Sequence, residues 1–348
     1  MAEWDPSRFY GLFAVLLVAS VELFFSLRKG GFFLEQWYWG AAIVVALVGA
    51  ALVPGYLSSP SVGRKQWALA GALLVLTAVV GASVLWSIVP VSSTLEASRT
   101  AMYAGAFALL LPAAARWGSL VVDTTIFGAL LPPALYGLLQ KVFPAYVEYT
   151  GFGTLETDPS ASSTVGYHPA FGMMCAMGAL LVVARVGSFR SSAPLRALYS
   201  ATGVIFLVAL YFSFSRGALM ALAAGAVVLL LLAKHRLEVL GNLAVTALPA
   251  LWVVSQAWDH PGLVSDSAGL EVMATDGLAL PGLLLKGMLL ALVAQVLFTV
   301  LVRAFVGFAP EGVRRGARLV GTVILVGAVA GGLFLGWNAF HQAGASTG

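Results

Sequence analysis

Apolar residues run along this chain in long, nearly unbroken stretches, and Arg, Lys, Asp, Pro and Gly collect in the short segments between them. About 20 residues rising ~1.5 Å each cross the hydrocarbon core of a bilayer, so apolar windows of roughly 17–25 residues mark spanning helices. About eleven such windows are present: 9–27, 36–56, 67–88, 99–115, 117–139, 166–186, 198–214, 217–233, 239–258, 278–302 and 319–337. The pattern predicts an all-α polytopic integral membrane protein, with a single transmembrane domain over 1–348. The segment before the first window, Met-Ala-Glu-Trp-Asp-Pro-Ser-Arg, lacks a basic n-region, and no small-residue cleavage site closes that window. A retained first span is therefore expected rather than a signal peptide.

The distribution of Lys and Arg sets the expected orientation. With the N-terminus inside and the C-terminus outside, Arg8, Arg64, Lys65, Arg116, Arg185, Arg190, Arg196, Lys234, Arg236, Arg303, Arg314, Arg315 and Arg318 fall on the cytoplasmic side. Only Arg28, Lys29, Arg99, Lys141 and Arg216 fall outside, and Lys286 falls within a span. This is the bias of the positive-inside rule. It leaves an outer loop at 140–165, an outer loop at 258–277 and a basic cytoplasmic loop at 303–318. The last has an obvious topological role, with binding of anionic head groups as a second possibility.

Composition agrees: 60% of residues are hydrophobic and 10% charged, with a mean hydropathy of +0.94. The net charge of +4 and pI near 9.3 then report cytoplasmic loops, not a nucleic-acid partner. Cys175 is the one cysteine, which excludes an intramolecular disulfide and a cysteine metal cluster. Asp259, Asp266, Glu271 and Asp276 are scattered rather than set at ligand spacing, so 258–277 reads as a solvated loop and no metal or cofactor is expected.

Within this frame Arg216 stands out, in Tyr-Phe-Ser-Phe-Ser-Arg-Gly-Ala over 211–218, between the apolar runs 201–214 and 218–233. An arginine at the bilayer centre costs at least about 2.5–3.5 kcal/mol, so it belongs at a boundary or in a polar cavity. Ser213, Ser215 and Gly217 suit a tight helix-to-helix boundary. A guanidinium fixed there is a fork matched to phosphate oxygens, and a snorkelling interfacial anchor is the plainer alternative. Upstream, Ser93 with Glu96 forms a capping-box pattern that predicts a helix start carrying Arg99 on its second turn. If both arginines lie at the outer face, they can converge on one anionic group or stand as two unrelated anchors.

The order Trp86-Ser87-Ile88-Val89-Pro90 followed by Glu96 and Arg99, then Gly166-Tyr167 after a polar outer loop, then Ser215-Arg216-Gly217-Ala218 opening a helix, resembles the O-antigen ligase and polymerase family. These are multispanning glycosyltransferases acting on polyprenyl-diphosphate-linked glycans outside the cytoplasmic membrane. The resemblance runs over most of the chain. It implies that Arg216 holds the diphosphate of the lipid-linked donor, that Arg99 assists, and that Glu96, Tyr167, Ser215 and Gly217 support them. Guanidinium groups would take the place of a metal ion. The sequence departs from the family in reading Gly166-Tyr167-His168-Pro169 where many relatives read Gly-Tyr-Trp-Asn, and Ser160 stands near the place of an upstream arginine. A large outer loop with the family's catalytic histidine has no counterpart before Gly348. The chain is therefore expected to be the N-terminal part of such an enzyme, whether truncated, split so that a separate chain or domain supplies that loop, or degenerate.

Activating an acceptor hydroxyl needs a base. Of the 4 histidines, His235 lies between Lys234 and Arg236 and His341 in the C-terminal tail. His168 and His260 are each followed by proline on the outer side. His168 is the catalytic candidate, with Glu156 or Asp158 as alternative base or orienting group and a helix-capping histidine as the plain reading. The expected partners are the polyprenyl-diphosphate-linked glycan and membrane lipids, in the inner membrane. Two other functions stay open: a transporter or flippase for a lipid-linked or small anionic substrate, and a non-catalytic scaffold. A transporter of that kind favours internal repeats and broken helices. Pro132, Pro133 and Pro249 interrupt spans, but no repeat is evident.

Overall fold

The computed structural model describes residues 6–27, 40, 42–46, 48–49, 62–117, 119–144, 160–187, 192–233, 236–265 and 268–308. The expected span 319–337 and most of 36–56 lie outside them. The labelled helices are α1 (Pro6–Ser26), α2 (Arg64–Ala82), α3 (Pro90–Trp117), α4 (Ser119–Val142), α5 (His168–Val186), α6 (Ala193–Phe212), α7 (Arg216–Leu232), α8 (Arg236–Ala257), α9 (Pro261–Val264), α10 (Leu270–Gly277) and α11 (Leu280–Phe308). No strand occurs among the described residues.

Six stretches among them are long and apolar enough to cross a membrane: Arg64–Trp86, Val122–Val142, His168–Val186, Ala193–Phe212, Arg236–Ala257 and Leu270–Ala304. Two shorter apolar helices accompany them, Val15–Ser26 and Arg216–Leu232. Leu74, Val75 and Val79 on α2, and Leu285, Leu289, Val293, Leu297 and Val300 on α11, are all exposed. Faces of that kind exceed what a protein presents to water, while the helical backbone satisfies its own polar groups, so they are lipid-facing. The chain is an all-α polytopic membrane protein.

The chain divides into two compact units. In the first, 1–136 with 149–152 and 162–167, α3 lies against both α1 and α2. Val44, Met102 and Leu109 form one buried cluster, and Val15, Ala113 and Val122 another. Here α3 starts earlier than its capping-box pattern predicts. Pro90 opens it, the Ser87 hydroxyl accepts the Val89 N–H at 3.1 Å, and the Ser93 hydroxyl bonds to that of Ser87 at 2.7 Å. Proline suits the first helical position because its missing N–H would be unsatisfied there anyway. Ser93 is consequently inside the helix, and Glu96 turns to Arg99 instead of to a cap.

The second unit comprises 137–148, 153–161 and 168–348. Its centre is α6, which packs on α5, α8 and α11 and is the most buried of the six spans. Small residues permit this. Gly178 receives the Phe206 ring, Gly203 the Thr246 methyl, and Gly287 Val253, with no room for a Cβ at any of them. Lipid gives no hydrophobic drive between helices, so close packing at small residues carries the association. The 258–277 segment is no simple solvated loop. It forms α9 and α10, with Gly262, Leu263, Met273 and Gly277 buried.

Candidate functional site

The turn between α6 and α7 is built from its serines. The Ser213 hydroxyl donates to the Leu210 carbonyl at 2.6 Å and accepts the Ser215 N–H at 3.3 Å. Ser215 caps α7 by accepting the Ala218 N–H at 3.2 Å, satisfying one of the free donors of the first turn. Phe214 adopts φ 49°, a left-handed backbone that a bulky side chain holds only when its surroundings impose it. Gly172 of α5 lies against the turn; a Cβ there would stand 2.6 Å from Ser213 Oγ and 2.8 Å from Ala218 Cβ. Gly217, by contrast, faces open space.

Arg216 is the first residue of α7 and is exposed. Among the described residues its side chain has no hydrogen-bond or ion-pair partner. At a helix N-terminus the aligned peptide dipoles and unpaired N–H groups also favour an anion. Among the described residues the guanidinium is thus an uncommitted cation at a positive helix end.

A basic and aromatic frame holds the turn within the second unit. Lys141, in the last turn of α4, is buried. Its Nζ donates to the Leu263 carbonyl at 3.2 Å and lies 5.5 Å from the Phe212 ring centroid and 5.3 Å from that of Phe214. The Trp258 indole N–H donates to the Tyr211 hydroxyl at 2.8 Å, and Tyr211 meets Phe214 edge-on at 5.8 Å. Asp276 accepts the Gly262 N–H at 2.7 Å and approaches His260 Nδ1 at 3.6 Å. Gly277 fits against the Lys141 and Val142 carbonyls with no space for a side chain. The Ala161 N–H donates to the Phe212 carbonyl at 2.8 Å.

His168 begins α5 and is half-buried. It stands one turn before Gly172, and so at the Arg216 end of the second unit. Tyr167 and Arg99 belong to the first unit. Tyr167 is exposed after Gly166, whose φ of 76° needs glycine. The residues before it are pinned: the Ser163 hydroxyl donates to the Pro133 carbonyl at 2.6 Å, and that of Thr164 to the Ser26 carbonyl at 2.6 Å. Arg99 Nη1 pairs with Glu96 Oε1 at 2.6 Å. Glu156, Asp158, His235 and His341 lie outside the described residues.

Lys141, Tyr211, Trp258 and Asp276 were not predicted as site residues. The available signal was the run of aromatic residues beside Arg216, a setting that attracts cations. No carboxylate or imidazole grouping able to hold a metal ion occurs among the described residues. No protein-family model matches the chain, and no curated protein or solved structure matches it either.

Proposed function

We propose that this chain is a membrane glycosyltransferase of the O-antigen ligase type, or the membrane part of one, using a polyprenyl-diphosphate-linked glycan at the outer face of the cytoplasmic membrane. On this reading about eleven spans, with the N-terminus inside and the C-terminus outside, bring the Arg216 turn to the outer leaflet. The observation that carries the reading is Arg216 itself, an exposed guanidinium without a partner among the described residues, on an N-capped turn.

The chemistry follows from charge. An acceptor hydroxyl oxygen attacks the anomeric carbon, the anomeric C–O bond breaks, and the diphosphate leaves with the electron pair. Arg216 and the α7 N-terminus stabilise the charge gathering on that leaving group, because a preorganised donor acts without reorganising at the moment of reaction. His168, at the same end of the unit, takes the hydroxyl proton. This charge stabilisation makes the transfer metal-independent.

The test is glycan transfer by the full chain in proteoliposomes. Arg216→Ala and Arg216→Lys are expected to lower transfer by about 100–1,000-fold, the effect of removing one transition-state donor. His168→Ala is expected to lower it by about 100-fold or more. Normal transfer by both Arg216 variants refutes the assignment. Substrate flux without transfer points to a transporter instead.

A further inference from the structure

A cluster of exposed aromatic and polar groups stands where α8 gives way to α9. The Trp258, Asp259 and His260 N–H groups donate to the Ser255, Gln256 and Ala257 carbonyls at 3.1–3.3 Å and close α8 in a tight turn. The turn presents Trp258 and Asp259 to the outside; both are exposed, the tryptophan by 65%. The Trp258 indole N–H is committed to the Tyr211 hydroxyl at 2.8 Å. Tyr211 is in turn braced edge-on by Phe212 at 5.4 Å and Phe214 at 5.8 Å. The indole is therefore held in one orientation, and what it offers outward is carbon surface.

A tryptophan that anchors a membrane helix works by amphipathicity, with its body in lipid and its N–H toward the wet side. Trp258 fits that role poorly. Its N–H is turned to the protein, and the exposed Asp259 beside it keeps the turn out of the hydrocarbon, where a carboxylate is costly. His260 adds hydrogen-bonding capacity two residues on. Its Nδ1 lies 3.6 Å from Asp276 Oδ1, with the two side chains 33% and 20% exposed. That is too long for a hydrogen bond, while Asp276 Oδ2 is held by the Gly262 N–H at 2.7 Å. A hydroxyl entering between them accepts from the imidazole N–H and donates to Oδ1, completing both groups. The Leu263 carbonyl, three residues after His260, takes Lys141 Nζ, which lies on Phe212 and Phe214, so the cluster borders the Arg216 turn.

We propose that Trp258, His260 and Asp276 bind a pyranose ring of the glycan, with Asp259 at the rim. A sugar is apolar on the face where its axial C–H groups collect and polar around its edge. The first matches an aromatic ring, whose negative face attracts C–H hydrogens, and the second matches a fixed carboxylate and an imidazole. A lipid tail would use the indole but not the gap between His260 and Asp276. The site rests on the glycosyltransferase reading for the identity of its ligand, and adds to it a means of holding the saccharide rather than the diphosphate. The sugar belongs either to the donor glycan or to the acceptor.

The experiment is saturation-transfer NMR on the full chain in nanodiscs. The probe is the oligosaccharide that mild acid releases from the polyprenyl diphosphate carriers of the native membrane. Wild-type protein is expected to transfer saturation to the C–H protons of one pyranose. Trp258→Ala should weaken binding by about tenfold, as for a truncated aromatic contact, and Trp258→Phe should restore most of it. Asp276→Asn keeps an acceptor for the Gly262 N–H and should weaken binding by about tenfold as well, the worth of one charge-assisted hydrogen bond. No saccharide signal from the wild type, or binding undiminished in both Trp258→Ala and Asp276→Asn, overturns the proposal and leaves Trp258 an interfacial anchor. Transfer kinetics in proteoliposomes separate the two sources: Trp258→Ala raises KM for the donor if the donor glycan sits there, and KM for the acceptor if the acceptor does. Saccharide binding that follows these variants in a chain that transfers nothing supports the site and refutes only the glycosyltransferase reading.

Discussion

Adding a single methyl group at residue 172 tests whether the Arg216 turn is set by α5. A Cβ there would lie 2.6 Å from Ser213 Oγ, 2.8 Å from Ala218 Cβ and 3.2 Å from Ser215 Cβ. Ordinary contacts begin near 3.5 Å, so α5 and the turn must separate by several tenths of an ångström. Ser213 cannot simply swing aside, because its hydroxyl both donates to Leu210 and accepts from Ser215. Ala218 Cβ has no rotamer to change. Overpacking of this kind costs about 1–3 kcal/mol. Gly→Ala also gains up to about 1 kcal/mol of helix propensity, which Gly217→Ala shares without any clash. The difference between Gly172→Ala and Gly217→Ala therefore isolates the packing cost, with Gly172→Ala the less stable by about 1–3 kcal/mol. Thermal unfolding of both variants in one detergent reads it directly. Under the proposed function, Gly172→Ala also lowers transfer, since displacing a reacting group by about 1 Å costs on the order of 100-fold. Equal stability of the two variants, or a greater loss from Gly217→Ala, refutes the packing argument.

Lys141→Met keeps the contact with both phenylalanine rings but removes the cation and the donor to Leu263; a loss of about 1–3 kcal/mol is expected. A double-mutant cycle with Phe214→Leu, measured by thermal unfolding, should show coupling between the two residues. Asp276→Ala leaves the Gly262 N–H without its acceptor, and hydrogen exchange in 258–277 should accelerate by roughly tenfold, the worth of one hydrogen bond.

Spans are legible because lipid imposes length and apolarity directly on sequence. The window 198–214 became Ala193–Phe212, and 278–302 became the core of Leu280–Phe308. Local signals fared less well where several residues could serve. Ser93 and Glu96 satisfy a capping pattern, but Ser87 and Pro90 satisfy the same backbone one turn earlier, and the chain uses those. The 258–277 segment reads as solvated because it is acidic and lacks Lys and Arg. Its burial comes from contacts such as Lys141 with Leu263, 122 residues apart, and no short-range pattern encodes them.

Charges divide along the same line. The turn at Arg216 was legible because the residues that shape it are immediate neighbours in sequence: Ser213 and Ser215 lie within three residues of it. Lys141 and Arg196 were not, because a lone basic residue near the end of an apolar run looks like a topological marker whatever it touches. The fold separates the roles. Lys141 gives its ammonium to two rings and a carbonyl, and so stiffens the turn that presents Arg216. Arg196 is buried, with the Asn242 amide oxygen at 3.4 Å and the Glu238 carboxylate as its counter-charge. A cation whose charge is absorbed by rings, carbonyls or a buried carboxylate serves structure, whereas one left exposed at a helix N-terminus keeps its field directed outward.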